Sequence, residues 1–224
     1  AILKECATKA CTEGYPFEPY EDDGIYVVDG VAYDDVALNK TYTSNGTSYT
    51  NTSNQCTGHN EDGTIIGKLT DGVVAATGSD AAIGCHKGAS VDYTIDLDGY
   101  YRLKAFKTDL YGGSWGIPDP NTIDFKVSVS TDGVNFTELG TMTKSEETTV
   151  GDWEHRDFTF VTDKENLVAS HVRFTAINSA GTVTWIWASE LLAYGEAYDD
   201  YYMTYIEDDV VYEDVALGKT YTSN

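Results

Sequence analysis

Between residues 91 and 187 the chain is built of short runs in which apolar and polar residues alternate. The clearest are Val91 to Leu97, Arg102 to Lys107, Ile123 to Ser130, Arg156 to Val161, His171 to Ala176 and Val183 to Trp187. A period of two in segments rich in β-branched and aromatic residues gives each strand one face for a core and one for other surroundings. Gly, Asp and Asn punctuate the runs, and no segment sustains a helical period. The pattern predicts an all-β chain in which two sheets bury one face each, a β-sandwich. Two Asp-Gly turns predict hairpins, one in Ser130-Thr131-Asp132-Gly133-Val134 and one in Val28-Asp29-Gly30-Val31.

Charge then divides the chain. Its 224 residues carry 37 acidic and 14 basic side chains, a net charge of −23. Residues 1–35 and 196–224 together hold −14 of it and ten of the seventeen tyrosines. Such flanks are too charged to build a core alone, although their tyrosines can dock on a neighbour. The negative balance, without any Lys or Arg run, argues against nucleic-acid partners and anionic membrane surfaces. No apolar stretch is long enough for a bilayer-spanning helix, and no signal peptide is recognisable.

An internal repeat lies in those flanks. Val36-Ala37-Leu38-Asn39-Lys40-Thr41-Tyr42-Thr43-Ser44-Asn45 returns with one change as Val215-Ala216-Leu217-Gly218-Lys219-Thr220-Tyr221-Thr222-Ser223-Asn224, at an offset of 179 residues. Gly30 to Asp35 is related to Asp209 to Asp214 in the same frame. An offset of module size predicts a tandem array, of which this chain is a piece. The expected organisation is an acidic Tyr-rich flank with a hairpin over 1–35, a β-sandwich over 36–196, and an acidic linker opening a second repeat over 197–224.

Six phrases in order carry a family resemblance: Val36 to Lys40, Leu69-Thr70-Asp71-Gly72, Val91 to Leu97, Phe125 to Phe136, His171 to Thr175, and Ala188-Ser189-Glu190-Leu191-Leu192-Ala193-Tyr194-Gly195. Together they resemble the discoidin domain, also called the coagulation-factor type C domain, a group that includes family 32 carbohydrate-binding modules. The resemblance implies a jelly-roll sandwich of about eight antiparallel strands, galactose-binding-like and non-catalytic. Its members bind glycans, phospholipid headgroups or proteins through loops at one end. It also implies a structural calcium held by Asp71, by Glu190 and by carbonyls or hydroxyls from about Val74 to Thr77. Calcium accepts such mixed oxygen shells. The alternative is that Asp71 only shapes a turn and Glu190 is a paired or solvated carboxylate.

Sugar recognition needs an aromatic face and a few polar groups on loops held by a rigid scaffold. The segment Thr108 to Asn121, rich in Gly and Pro, reads as such a loop, with Trp115 exposed and Tyr111 and Asp109 as companions. The alternative is that Trp115 folds back as a plug over the end of the sandwich. His86 is a further candidate for hydrogen bonding to sugar. Cys56, His59, Cys85 and His86 only loosely resemble a zinc pattern. Trp185 and Trp187 share one face of a strand, which suits core or sheet surface better than a ligand platform.

Four cysteines allow three pairings, of which Cys6 with Cys11 and Cys56 with Cys85 is the simplest, suited to a secreted or cell-surface location. Reduced thiols are the alternative. Sequons stand at Asn39, Asn45, Asn51 and Asn135. No nucleophile elbow, phosphate-binding loop or His-Glu-x-x-His motif is present, so catalysis is not expected. The leading expectation is a carbohydrate-binding unit of a tandem-repeat extracellular protein, with glycan as partner and calcium as cofactor. The rival is an adhesive repeat that joins neighbouring repeats or like chains and binds no sugar.

Overall fold

The computed structural model describes residues 24–48, 64–65, 69–74, 84–198, 204–207 and 210–213. Cys6, Cys11, Cys56, His59 and Thr77 lie outside them, and of Cys85 and His86 only the backbone is described. The strands, in chain order, are β1 (Ile25–Val28), β2 (Val31–Asp35), β3 (Tyr42–Ser44), β4 (Thr47–Ser48), β5 (Thr64–Ile65), β6 (Gly84–Gly88), β7 (Ser90–Gly112), β8 (Ile123–Ser130), β9 (Thr137–Thr141), β10 (Thr143–Lys144), β11 (Thr148–Val150), β12 (Trp153–Val161), β13 (Val168–Asn178), β14 (Thr184–Ala197), β15 (Thr204–Glu207) and β16 (Val210–Glu213). One 3-10 turn spans Pro120–Thr122, so the expected all-β class holds.

Two of the expected strands are one. Val91 to Leu97 and Arg102 to Lys107 both lie in the 23-residue β7, which bends where Asp98 and Gly99 adopt positive φ (53° and 154°). Its first half pairs with β3 and β13, and its second half with β14 and β12. One strand therefore serves both layers of the sandwich. The first layer continues from β13 through β8 to β9. In the second, β14 carries β6 and β2 along the edge away from β7.

The core fills the space between the layers. Val91, Tyr93, Ile95 and Leu97 face it from the first half of β7, and Phe106 and Leu110 from the second. Phe106 meets Phe174 edge-on at 6.4 Å, and Phe125 meets Phe158 at 4.9 Å, so aromatic pairs bridge the layers. Such contacts add to the area the rings remove from water. The β8–β9 connection is the Asp-Gly turn foreseen from sequence. Asp132 accepts hydrogen bonds from the backbone of Asn135 and Val134 (both 2.8 Å), which hold its carboxyl well below the usual range.

The other hairpin also forms. Asp29 and Gly30 both take positive φ (51° and 81°), as a tight two-residue turn requires. β1 pairs with β2, and β2 extends the second layer beside β14. Tyr26 stacks on Tyr194 with 5.0 Å between ring centres, and Val28 and Tyr33 close over Ala105 and Leu192. The hairpin thus covers the outer face of the second layer. β15 and β16 pair as Tyr205 with Tyr212 and Ile206 with Val211, which is the register of Tyr26 with Tyr33 and Val27 with Ala32 displaced by 179 residues.

Tyr26→Ala removes the stacked ring and should detach the hairpin before the sandwich opens. Hydrogen exchange at Asp35 and Val36, whose amides bond to Gly24 and Ala193, should accelerate at least tenfold while Val172 and Phe174 stay protected. Equal acceleration at all four would show one cooperative unit instead.

Candidate functional site

In the second half of β7, residues 106, 108 and 110 point into the core, so 105, 107, 109 and 111 share the opposite face. That outer face is not solvated. At one end the hairpin covers it, and at the other an aromatic cluster of Tyr111, Trp153 and Trp187 does, with Ile117 packed in and Val150 and Trp185 at its edge. Trp153 and Trp187 stack 5.2 Å apart with 22° between planes. Lys87 sits 5.3 Å over the ring of Trp185.

Trp115 stands on this cluster. It is 67% exposed, and it sets its edge against Trp153 at 5.1 Å and Trp187 at 5.9 Å. Its loop is tied down at its base, where the Gly113 amide reaches the carbonyls of Ile117 (3.1 Å) and Pro118 (3.3 Å), and Ile117 returns to Ser114 (2.9 Å). Trp115 itself has φ 52°, a left-handed conformation that disfavours a side chain by about 1–2 kcal/mol. Gly112 permits the close return of the loop, because a Cβ there would lie 2.0 Å from the Pro118 carbonyl oxygen. A bulky exposed residue held in a strained backbone points to function.

Two expected loop residues are corrected. Strand β7 continues to Gly112, so Tyr111 and Asp109 belong to the sheet and are 0% and 2% exposed. Cross-strand pairing with β12 holds them there, opposite His155 and Asp157. Tyr111 supports the platform from below and packs on the His155 ring at 4.6 Å. Trp187 has a larger part than its strand pattern suggested, as one of the two rings beneath Trp115. Trp153 is the residue the sequence reading missed; its one signal was its place just after Gly151-Asp152, at the opening of a strand. Of His86 only the backbone is described, on β6 opposite Ile186.

Around the platform the rim is acidic. Glu154 lies against Gly113, and burial, with Asp119 and Glu147 nearby, pushes its carboxyl up. A separate groove of about 430 Å³ lies by the hairpin, lined in part by Arg102, Lys104 and Glu165. It is polar, is crossed by the Arg102–Glu196 ion pair (2.6 Å), and offers no aromatic face from the cluster. The Trp115 loop is the better-formed candidate.

The calcium expectation rests on Asp71 and Glu190. Glu190 is fully buried at a bulge of β14; Oε1 accepts the Gly72 amide at 3.0 Å, and Oε2 has no hydrogen-bond partner among the described residues. Burial pushes its carboxyl well up, and Asp71, Asp109 and Asp35 add to the shift. Asp71 caps its own turn by accepting the Val73 amide at 3.0 Å. A buried carboxylate oxygen without a donor, facing further carboxylates, suits a hard cation. Val74 is close by in sequence.

A model of the F5/8 type C domain matches residues 49–191. The chain belongs to the F5/8 type C, or discoidin, family. Among solved structures, a fucolectin from striped bass (Morone saxatilis) serum is similar at 13% identity, covering 74% of this chain and 50% of that one, with a TM-score of 0.52. Also similar are a CBM32 module of Clostridium perfringens solved with GalNAc-β-1,3-galactose (19% identity, 69% and 94% covered, TM-score 0.45) and a fucose-binding module of Streptococcus pneumoniae (11%, 76% and 100%, 0.46). A comparison with curated protein sequences found no match. The fucolectin likeness shows the fold of this discoidin chain, a galactose-binding-like β-sandwich. Among the described residues no helix is long and apolar enough to cross a membrane.

Within the discoidin fold the four tryptophans divide sharply. Trp153→Ala should cost about 3–5 kcal/mol in urea unfolding, as a buried aromatic does. Trp115→Ala should cost far less, and Trp115→Gly should be about 1 kcal/mol more stable than Trp115→Ala, because glycine alone relieves the positive φ.

Proposed function

We propose that this discoidin unit is a non-catalytic carbohydrate-binding module that presents Trp115 to the apolar face of a sugar ring. The observation that carries the reading is Trp115 itself: 67% exposed, fixed in a left-handed backbone, and backed by two buried indoles. An aromatic plane held rigid before the ligand arrives loses little entropy on binding. Ser114 in the same loop, Glu154 against Gly113, and Asp119 near Glu154 would supply groups for sugar hydroxyls. The likeness in fold to the striped bass fucolectin supports this ligand class. The unit belongs, in this reading, to a secreted or cell-surface protein.

A structural calcium at Asp71 and Glu190, completed by carbonyls or hydroxyls between Val74 and Thr77, is part of the proposal. It would supply positive charge to the orphaned Glu190 oxygen and fix the β14 bulge, three residues beyond Trp187. Calcium added to chelator-treated protein should raise its thermal midpoint, the equivalent of about 2.7 kcal/mol at a hundredfold excess over Kd. Glu190→Gln should remove that dependence, and a calcium response unchanged in Glu190→Gln would place the ion elsewhere.

A second reading has its own support. The Thr204–Glu207 and Val210–Glu213 hairpin repeats the register of the docked hairpin β1–β2, which suits an array of repeats in which each hairpin covers the outer face of a sandwich. The two readings separate by experiment. Titration against a panel of monosaccharides and oligosaccharides should find a ligand whose affinity drops at least tenfold, about 1.4 kcal/mol, in Trp115→Ala. No glycan binding, with concentration-dependent assembly lost on deleting residues 204–213, would favour the adhesive repeat.

A further inference from the structure

A second cluster of ligand-type side chains lies on the same outer face, between the docked hairpin and the aromatic platform. β7 and β12 place Asp109 directly across from Asp157, and His155 two residues before it. The three meet closely: His155 Nε2 is 3.4 Å from Asp109 Oδ2 and 3.6 Å from Asp157 Oδ1, and all three donor atoms lie within 4.8 Å of one another. The side chains of Asp109 and His155 are 2% exposed, and that of Asp157 is 34% exposed.

With its proton on Nε2, His155 donates a hydrogen bond to Asp109 Oδ2, a proton that a bound cation would replace. Thr148 Oγ1 lies 3.5 Å from the His155 carbonyl oxygen, to which it donates, and 3.2 Å from Nδ1. In the tautomer with the proton on Nδ1, the hydroxyl accepts it and the Nε2 lone pair faces the two carboxylates, and a cation at Nε2 would select that tautomer. The Nε2–Asp109 hydrogen bond is long, since charge-assisted ones run at about 2.7–2.9 Å. The two His155 separations lie near the spacing between ligands on one tetrahedral zinc ion, about 3.3–3.4 Å for bonds of about 2.0–2.1 Å. The Tyr111 ring fixes the imidazole plane, and Thr148 is the kind of outer partner that orients a ligating histidine.

We propose that Asp109, His155 and Asp157 form a binding site for a zinc-class divalent cation. One nitrogen and two carboxylate oxygens suit such an ion better than calcium, which asks for six to eight oxygens. A dication neutralises the two carboxylates, and the charge of Asp109 also reaches Glu190, whose carboxyl it helps push up. Lys107, beside Asp157, opposes the negative charge there. The partly exposed Asp157 gives the ion a path in from solvent, and the fourth position is left for water. The site is distinct from the loose Cys-His pattern of Cys56, His59, Cys85 and His86.

The test loads the full chain, stripped by chelator, with Zn(II) alone and reads stoichiometry and affinity by calorimetry and metal analysis. One zinc per chain is expected, with affinity reduced at least tenfold in His155→Gln and in Asp157→Asn, and unchanged in Cys56→Ser/Cys85→Ser and in saturating calcium. No zinc retained, zinc unaffected by both His155→Gln and Asp157→Asn, or zinc lost with the cysteines would each overturn the proposal. Should His155→Gln fail to fold, Co(II) in the unaltered chain decides: an absorption spectrum of nitrogen and oxygen ligands supports the site, and thiolate charge-transfer bands overturn it.

Discussion

Strand β7 is the constraint on which the rest of the structure depends. A strand with one buried face needs only alternation, but the second half of β7 is buried on both faces. Phe106 and Leu110 enter the core between the layers, whereas Ala105, Asp109 and Tyr111 are sealed under the hairpin and the aromatic cluster. Because β7 crosses from one layer to the other at the Asp98–Gly99 bend, any shift of register would exchange these two sets along its whole length. A slip of one residue would drive Asp109 into the phenylalanines and force Phe106 under the hairpin, into space now filled by Ala105. The bend and the pairing with β12 and β14 together fix which residues meet on the outer face.

That outer face explains why so much charge is buried in a protein of this size. Asp109, His155 and Glu190 are each 2% exposed or less, and Asp109 on β7 helps push up the carboxyl of Glu190 on β14. Apolar replacement would make a simpler sheet. Burying several carboxylates near one another costs folding free energy unless cations compensate. The calcium proposed at Glu190 and the zinc-class ion proposed at His155 are two local solutions to one electrostatic problem, at sites separated by Asp109. The acidic flanks add to the same negative field but are screened by solvent.

Much of the scaffold was legible in the sequence. The alternation from Val91 onward located the strands, the two Asp-Gly turns located hairpins, and six ordered phrases identified the family. The extent of β7 was not legible, because Asp98-Gly99 looks like a turn between two strands and serves as a bend within one. The same misreading moved Thr108 to Gly112 from sheet to loop, which made Tyr111 and Asp109 into loop residues. Trp115 stood out because small residues surround it. Trp153 did not, because an isolated aromatic at a strand opening carries no pattern, and only the pairing of β12 with β7, which sets Glu154 opposite Gly112, brings it under Trp115. The His155 cluster escaped for a related reason: Asp109 lies 46 residues from His155, and cross-strand register is what joins them.

The arrangement of the tryptophans bears on how such a surface can be both exposed and rigid. A lone exposed indole on a glycine-rich loop samples many rotamers, and binding must then freeze them. Here Trp115 meets two stacked indoles edge-on, a preferred aromatic geometry, while the Gly113 amide bonds close the loop behind it. The positive φ at Trp115 opposes this placement by about 1–2 kcal/mol, and the edge contacts and tethered loop base offset it. Removing the strain by rebuilding the loop would turn the ring away from its supports. Strain and rigidity at Trp115 are therefore two consequences of one arrangement, in which the sheet below determines the direction of the only strongly exposed tryptophan among the described residues.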